Sequence, residues 1–124
     1  MTTRQWRKSR TFGEACWHAW DGVYFAARQE KNFRVQLVVY AMAMVLGVVL
    51  GLPARDLALV VLVSSFILTL EMVNTAIEAL ANVVDPKYHE GLRLVKDVAA
   101  GAVLVTSAAA IVIGLFLFIP ALLY

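Results

Sequence analysis

Three long apolar runs divide this chain: Val35 to Leu52, Leu57 to about Val73 with a less apolar continuation to Val84, and Val98 to Tyr124. A helix that crosses a bilayer needs about 20 apolar residues, within a range of about 17–25. All three runs qualify. In a chain of 124 residues they leave too little polar mass to bury them in water. Hydrophobic residues make up 61% of the sequence, and the mean hydropathy is +0.75, well above a soluble domain. The expectation is an all-α membrane protein with a single domain over residues 1–124. Residues 1–34 would form an amphipathic, interfacial helical segment, and transmembrane helices would occupy about 35–52, 57–84 and 98–122.

Charge sets the orientation. The segment before Val35 carries Arg4, Arg7, Lys8, Arg10, Arg28, Lys31 and Arg34, and it has no continuous apolar core of the signal-peptide kind. The first connection, Gly51 to Asp56, has only Arg55, whereas the second, Asp85 to Asp97, has Lys87, Arg93 and Lys96. The positive-inside rule then places the amino terminus and the second connection in the cytoplasm, and the carboxyl terminus outside. These basic residues flank spans and no recognition module accompanies them, so nucleic-acid binding is excluded. The single Cys16 rules out an intramolecular disulfide and reads as a packing residue.

Trp6 to Glu30 reads as a surface helix. Phe12, Cys16, Ala19, Trp20, Val23, Ala26 and Ala27 recur at helical spacing, and its aromatic residues suit the headgroup layer. It can serve as an anchor, as a lid over a site, or as both. In the first span, Ala43, Gly47 and Gly51 recur every four residues, a pattern that lets helices approach closely. The small residues early in the third span, Ala99 to Ala102 and Ser107 to Ala110, point the same way. Asp85-Pro86 is turn chemistry, and a new helix is expected to start near His89 or Glu90.

The second run contains four polar residues where hydrocarbon is expected: Glu71, Asn74, Glu78 and Asn82, at offsets of 0, 3, 7 and 11. At about 100° per residue they fall on one narrow stripe of a helix. Ionisable groups at membrane depth are costly and usually face a protein interior or a watery site. Residues 57 to 73 rise about 26 Å on a helix, close to the hydrocarbon thickness of about 30 Å. Glu71 then sits near the cytoplasmic edge, within reach of a water-soluble reactant. Glu30, at the end of the surface helix, lies at the same level.

Three carboxylates and an amide oxygen suit a hard divalent ion. Mg²⁺ typically takes one or two protein carboxylates and fills its shell with water and phosphate oxygens. Lys96 beside them can neutralise phosphate, and a remaining carboxylate can accept a proton from an alcohol. These are the parts that phosphoryl transfer requires. No P-loop or kinase-type glycine loop occurs. The residues alone leave three readings open: phosphoryl transfer, a proton- or cation-coupled transporter, and a structural polar seam between helices. Three spans enclose a polar site poorly, so a homo-oligomer is expected.

EMVNTAIEALAN (Glu71 to Asn82), followed by DPKYHEGLRLVKDVAAGAVLV (Asp85 to Val105), resembles the signature of prokaryotic diacylglycerol kinases and undecaprenol kinases. EKNFRVQ (Glu30 to Gln36) and the WDGV around Gly22 extend the resemblance over nearly the whole chain. It implies a homotrimer in the bacterial inner membrane. ATP would donate its γ-phosphate, with Mg²⁺, to a membrane lipid alcohol. Glu71 would be the base that activates the lipid hydroxyl, and Glu30 and Glu78 would hold Mg²⁺. Asn74, Lys96, Asp97, Tyr88 and His89 would serve the nucleotide side, with His18 and Arg10 from the surface helix. Asn32, Phe33 and Arg34 would lie close to the point of lipid access.

Some positions depart from the pattern. Asn82 stands where the family often has Asp. His18 stands where the enterobacterial diacylglycerol kinases have a Tyr, and Arg10 is displaced by one position from the family's basic residue. The EKNFR segment is closer to the Gram-positive branch, whose members tend to favour undecaprenol, so undecaprenol is the expected substrate over diacylglycerol.

Overall fold

The computed structural model describes residues 11–124, which form four helices: α1 (Phe12–Gln29), α2 (Lys31–Val49), α3 (Ala54–Val84) and α4 (Glu90–Leu123). The start expected for the surface helix at Trp6, and Arg10, lie outside the described residues. α1 begins where local chemistry allows it. The Thr11 hydroxyl accepts the Glu14 backbone N–H at 3.1 Å, and the Glu14 carboxylate sits in the first turn, where the helix dipole favours it.

α2 starts at Lys31, four residues before the expected span, because Glu30 alone separates it from α1. Its far end is a Schellman motif. Gly51, with φ +73°, takes the left-handed position, the Leu52 N–H donates to Gly47 O at 2.9 Å, and the Gly51 N–H donates to Val48 O at 3.1 Å. Gly51 therefore serves the turn and not the helix contact expected of it. Gly47 does mark a close approach: a Cβ there would lie 2.8 Å from Leu57 Cδ2 and 3.2 Å from Leu52 Cδ1.

α3 begins at Ala54, not at Leu57. Pro53 ends the turn with φ −64°, and Arg55 and Asp56 fall inside the first turn, with Asp56 placed favourably for the dipole. At about 1.5 Å per residue, its 31 residues span about 46 Å, more than the hydrocarbon of about 30 Å. The helix therefore extends past the apolar layer. α4 starts at Glu90, at the position expected from the sequence. His89 caps it, Nδ1 accepting the Gly91 N–H at 3.1 Å.

α3 is the centre of the molecule. It packs against α2 on one side and α4 on the other, while α1 packs on α2 and more lightly on α3. α2, α3 and α4 are each long and apolar enough to cross a membrane. The buried apolar side chains are few: Ala26, Phe33, Val60, Ile67 and Ala81 among the described residues. No residue of α4 is buried, and its Gly101 and Gly114 face open space. Small residues of α4, Ala99, Ala102, Ser107, Ala110 and Gly114, line its grooves with α3 and α2, while Leu104, Val105, Ile111 and Phe116 are exposed. α1 likewise exposes Phe12, Trp17, Trp20, Tyr24 and Phe25. Apolar surface of this extent is untenable in water, which agrees with a protein whose solvent is largely lipid.

Candidate functional site

The inner half of α3 continues a face that begins as packing. Val60, Ile67, Glu71, Asn74, Glu78 and Asn82 share one side of the helix, because multiples of three and four residues return to nearly the same direction. Val60 and Ile67 are buried apolar contacts. One turn beyond Ile67 the same face carries Glu71, which is 5% exposed and is the one buried charged residue among those described. A carboxylate held so far from solvent is costly unless its surroundings compensate.

Those surroundings are acidic. Glu30 and Glu78 lie close enough to Glu71 for their charges to act on it. Two of these three carboxylates come from α3 and one from the α1–α2 elbow. The Glu30 carboxylate does not cap α2, although Glu30 occupies that cap position. Asn74 stands between the turns of the stripe. Its Nδ2 donates to Glu78 Oε1 at a long 3.5 Å, and its Oδ1 is buried with no hydrogen-bond partner. An unpaired amide oxygen near carboxylates is a hard oxygen-donor set, the chemistry a divalent cation such as Mg²⁺ prefers. Among the described residues, no three His, Cys, Asp or Glu side chains converge tightly enough to hold a metal alone. The donors thus fit an ion that takes one or two protein carboxylates and draws its other ligands from water and phosphate, as Mg²⁺ does.

The nucleotide-side residues are split. Lys96, in the second turn of α4, donates to Asn82 Oδ1 at 2.8 Å and so links α4 to the polar stripe. Asp97 pairs with Arg93 at 3.7 Å, one turn earlier on α4. Arg93 was not singled out in the sequence, although its four-residue spacing from Asp97 was the available signal. His89 is engaged in capping α4, and Tyr88 beside it is exposed. His18 lies 3.6 Å from Glu14 on α1. Thr75 Oγ1 donates back to Glu71 O at 2.9 Å and serves its own helix.

The three residues expected near lipid differ in placement. Asn32 is exposed, and Phe33 is buried where α1 meets α2. The Arg34 guanidinium reaches back to the carbonyls of Ala27 and Arg28 at 3.0 and 2.7 Å. Phe33 also borders a groove of about 480 Å³ between α1, α2 and α3, with Trp20, Tyr24, Leu68, Thr69 and Met72. Its α3 wall, Ser65, Leu68, Thr69 and Met72, is a face of the helix next to the one that carries Glu71. A second groove of about 470 Å³ lies between α3 and α4 and has Asn74 in its wall.

Comparison with known proteins identifies the family. The profile of the prokaryotic diacylglycerol kinase family matches residues 17–118. A diacylglycerol kinase of Synechocystis sp. is 36% identical over 107 residues, which is 86% of this chain and 61% of that protein. The chain thus spans under two thirds of that relative's length. An undecaprenol kinase of Bacillus subtilis is 32% identical over 105 residues, 85% of each chain. A diacylglycerol kinase of Escherichia coli is 32% identical over 99 residues, 80% of this chain and 81% of that one. The chain belongs to the prokaryotic diacylglycerol kinase family of lipid kinases.

Proposed function

We propose that this protein transfers the γ-phosphate of ATP to the hydroxyl of a membrane lipid alcohol at the cytoplasmic face of a bacterial inner membrane. The observation that carries the reading is the buried Glu71, within electrostatic range of Glu30 and Glu78 on a helix long and apolar enough to cross a membrane. A lipid chain would lie along the apolar part of the helices, and its headgroup hydroxyl would meet Glu71. Glu71 would accept the hydroxyl proton as the oxygen attacks phosphorus, and ADP would leave. Glu30 and Glu78, with the Asn74 amide oxygen, would hold Mg²⁺. The ion, when bound, supplies positive charge against the phosphate oxygens. Lys96 would add a second positive charge, held in direction by Asn82. Asp97, Tyr88 and His89, with His18 and Arg10 of the amino-terminal segment, would border the nucleotide. Asn32, Phe33 and Arg34 would stand where lipid arrives.

The uncovered faces of α1 and α4 support the remaining parts of this reading: a single membrane domain, α1 lying in the headgroup layer, and subunits assembled as a homotrimer. The basic residues around α1 and in the α3–α4 connection support a cytoplasmic amino terminus. Family membership favours the kinase over a transporter or a polar seam, neither of which needs a lysine tied to the carboxylate stripe. The EKNFR segment favours undecaprenol as substrate.

The test is transfer of ³²P from Mg-ATP in micelles that contain undecaprenol or diacylglycerol. Preferential labelling of undecaprenol is expected. Preferential labelling of diacylglycerol would reassign the substrate and keep the chemistry. Labelling of neither by folded protein would overturn the reading.

A further inference from the structure

We infer that Arg34 is a positioning residue: it clamps the α1–α2 elbow and thereby fixes Glu30 beside Glu71. The elbow is unusually short. Glu30 ends α1 and begins α2, with φ −105° and ψ 110°, so one residue absorbs the whole change of direction. The last turn of α1 leaves carbonyls without helical partners. Arg28 in that turn does not serve them with its Nη1, which donates instead to Tyr24 Oη at 3.0 Å. Arg34 does. From the first turn of α2, its Nη1 donates to Ala27 O at 3.0 Å and Arg28 O at 2.7 Å.

The clamp is suited to its place. A guanidinium carries a permanent charge that complements the negative end of the α1 dipole. Its bonds bridge the two helices and enclose Glu30 between them. Ala26 and Phe33, each 3% exposed, pack the same junction from the two sides of Glu30. Glu30 itself makes no side-chain cap to α2, so nothing local aims its carboxylate. Its direction is inherited from the angle between α1 and α2, and Arg34 is the polar tie across that angle. Arg34 therefore acts on the site through Glu30, a role separate from the lipid contact proposed for it above. The consequence for the metal rests on the proposed function, in which Glu30 is a ligand.

The experiment has two readouts. The first is independent of activity. Cys16, the single cysteine of the chain and exposed on α1, carries one spin label, and Val45→Cys on α2 carries the other. Labelled chains are diluted with unlabelled chains, and the distance distribution is measured for the parent, Arg34→Lys and Arg34→Ala. The second readout is the Mg²⁺ concentration that gives half-maximal transfer, with Glu30→Gln in parallel. Arg34→Ala is expected to broaden the distance distribution and raise the Mg²⁺ requirement about 10-fold or more. Arg34→Lys, which keeps the charge without the planar fork, is expected to fall between. An unchanged distance distribution, or an intact Mg²⁺ requirement where Glu30→Gln raises it, overturns the clamp. If Glu30→Gln leaves the Mg²⁺ requirement unchanged, the metal assignment fails, and the distance distribution alone decides whether the elbow is clamped.

Discussion

The outer and inner halves of α3 share one helix face and use it for opposite purposes. In the outer half, Val60 and Ile67 are buried, and Leu57 meets the close approach at Gly47. In the inner half, the same face buries Glu71 and presents Asn74, Glu78 and Asn82. The first is held by dispersion and shape. The second brings like charges together and leaves an amide oxygen without a partner. A structure keeps such a cluster only when the apolar half supplies the stability that the polar half does not. In the proposed reading, the packed half around Val60 and Ile67 positions the chemistry of Glu71 and its neighbours.

Substitutions in the two halves should therefore separate activity from stability. The largest effect is expected from Glu71→Gln, which should lower phosphoryl transfer by about 10²–10⁴-fold in a steady-state assay. Lys96→Ala comes next. Loss of one positive charge facing phosphate should cost about 10²-fold in kcat/KM for ATP. Asn82→Ala should cost about fivefold through the freed lysine, and Asn82→Asp, which keeps an acceptor, should restore most of it. A double-mutant cycle sharpens this point: in the Lys96→Ala background, Asn82→Ala should add nothing. On the other side of the comparison, Gly47→Val should lower stability by about 1–3 kcal/mol through its clash with Leu57 and Leu52, with kcat per folded molecule unchanged. A large loss of kcat in folded Gly47→Val protein would break the division.

Much of this was legible in the sequence because membrane spans are written in length and polarity. Three apolar runs located the spanning helices, and the spacing of Glu71, Asn74, Glu78 and Asn82 put them on one face before any coordinates. The helices begin at Lys31 and Ala54, ahead of the apolar runs from Val35 and Leu57, for a physical reason. Charged residues at a span boundary belong to the helix while lying outside the hydrocarbon, so hydropathy marks the span and not the helix start. Gly51 was read as a helix contact because its spacing repeats that of Gly47, whereas its positive φ shows only in the backbone. The reach of Arg34 to α1 and the tie between Lys96 and Asn82 join residues on different helices. Neither has a periodic signature, since each depends on how two helices cross.

The most direct test measures rate and thermal midpoint together on Glu71→Gln and Ile67→Ala, residues one turn apart on the same face. Glu71→Gln is expected to lower transfer by about 10²–10⁴-fold with an unchanged or raised midpoint, because a neutral amide relieves the repulsion with Glu30 and Glu78. Ile67→Ala is expected to lose about 2–5 kcal/mol of stability while each folded molecule retains its rate. Near-normal transfer by Glu71→Gln, or a fall in its midpoint equal to that of Ile67→Ala, would contradict the account.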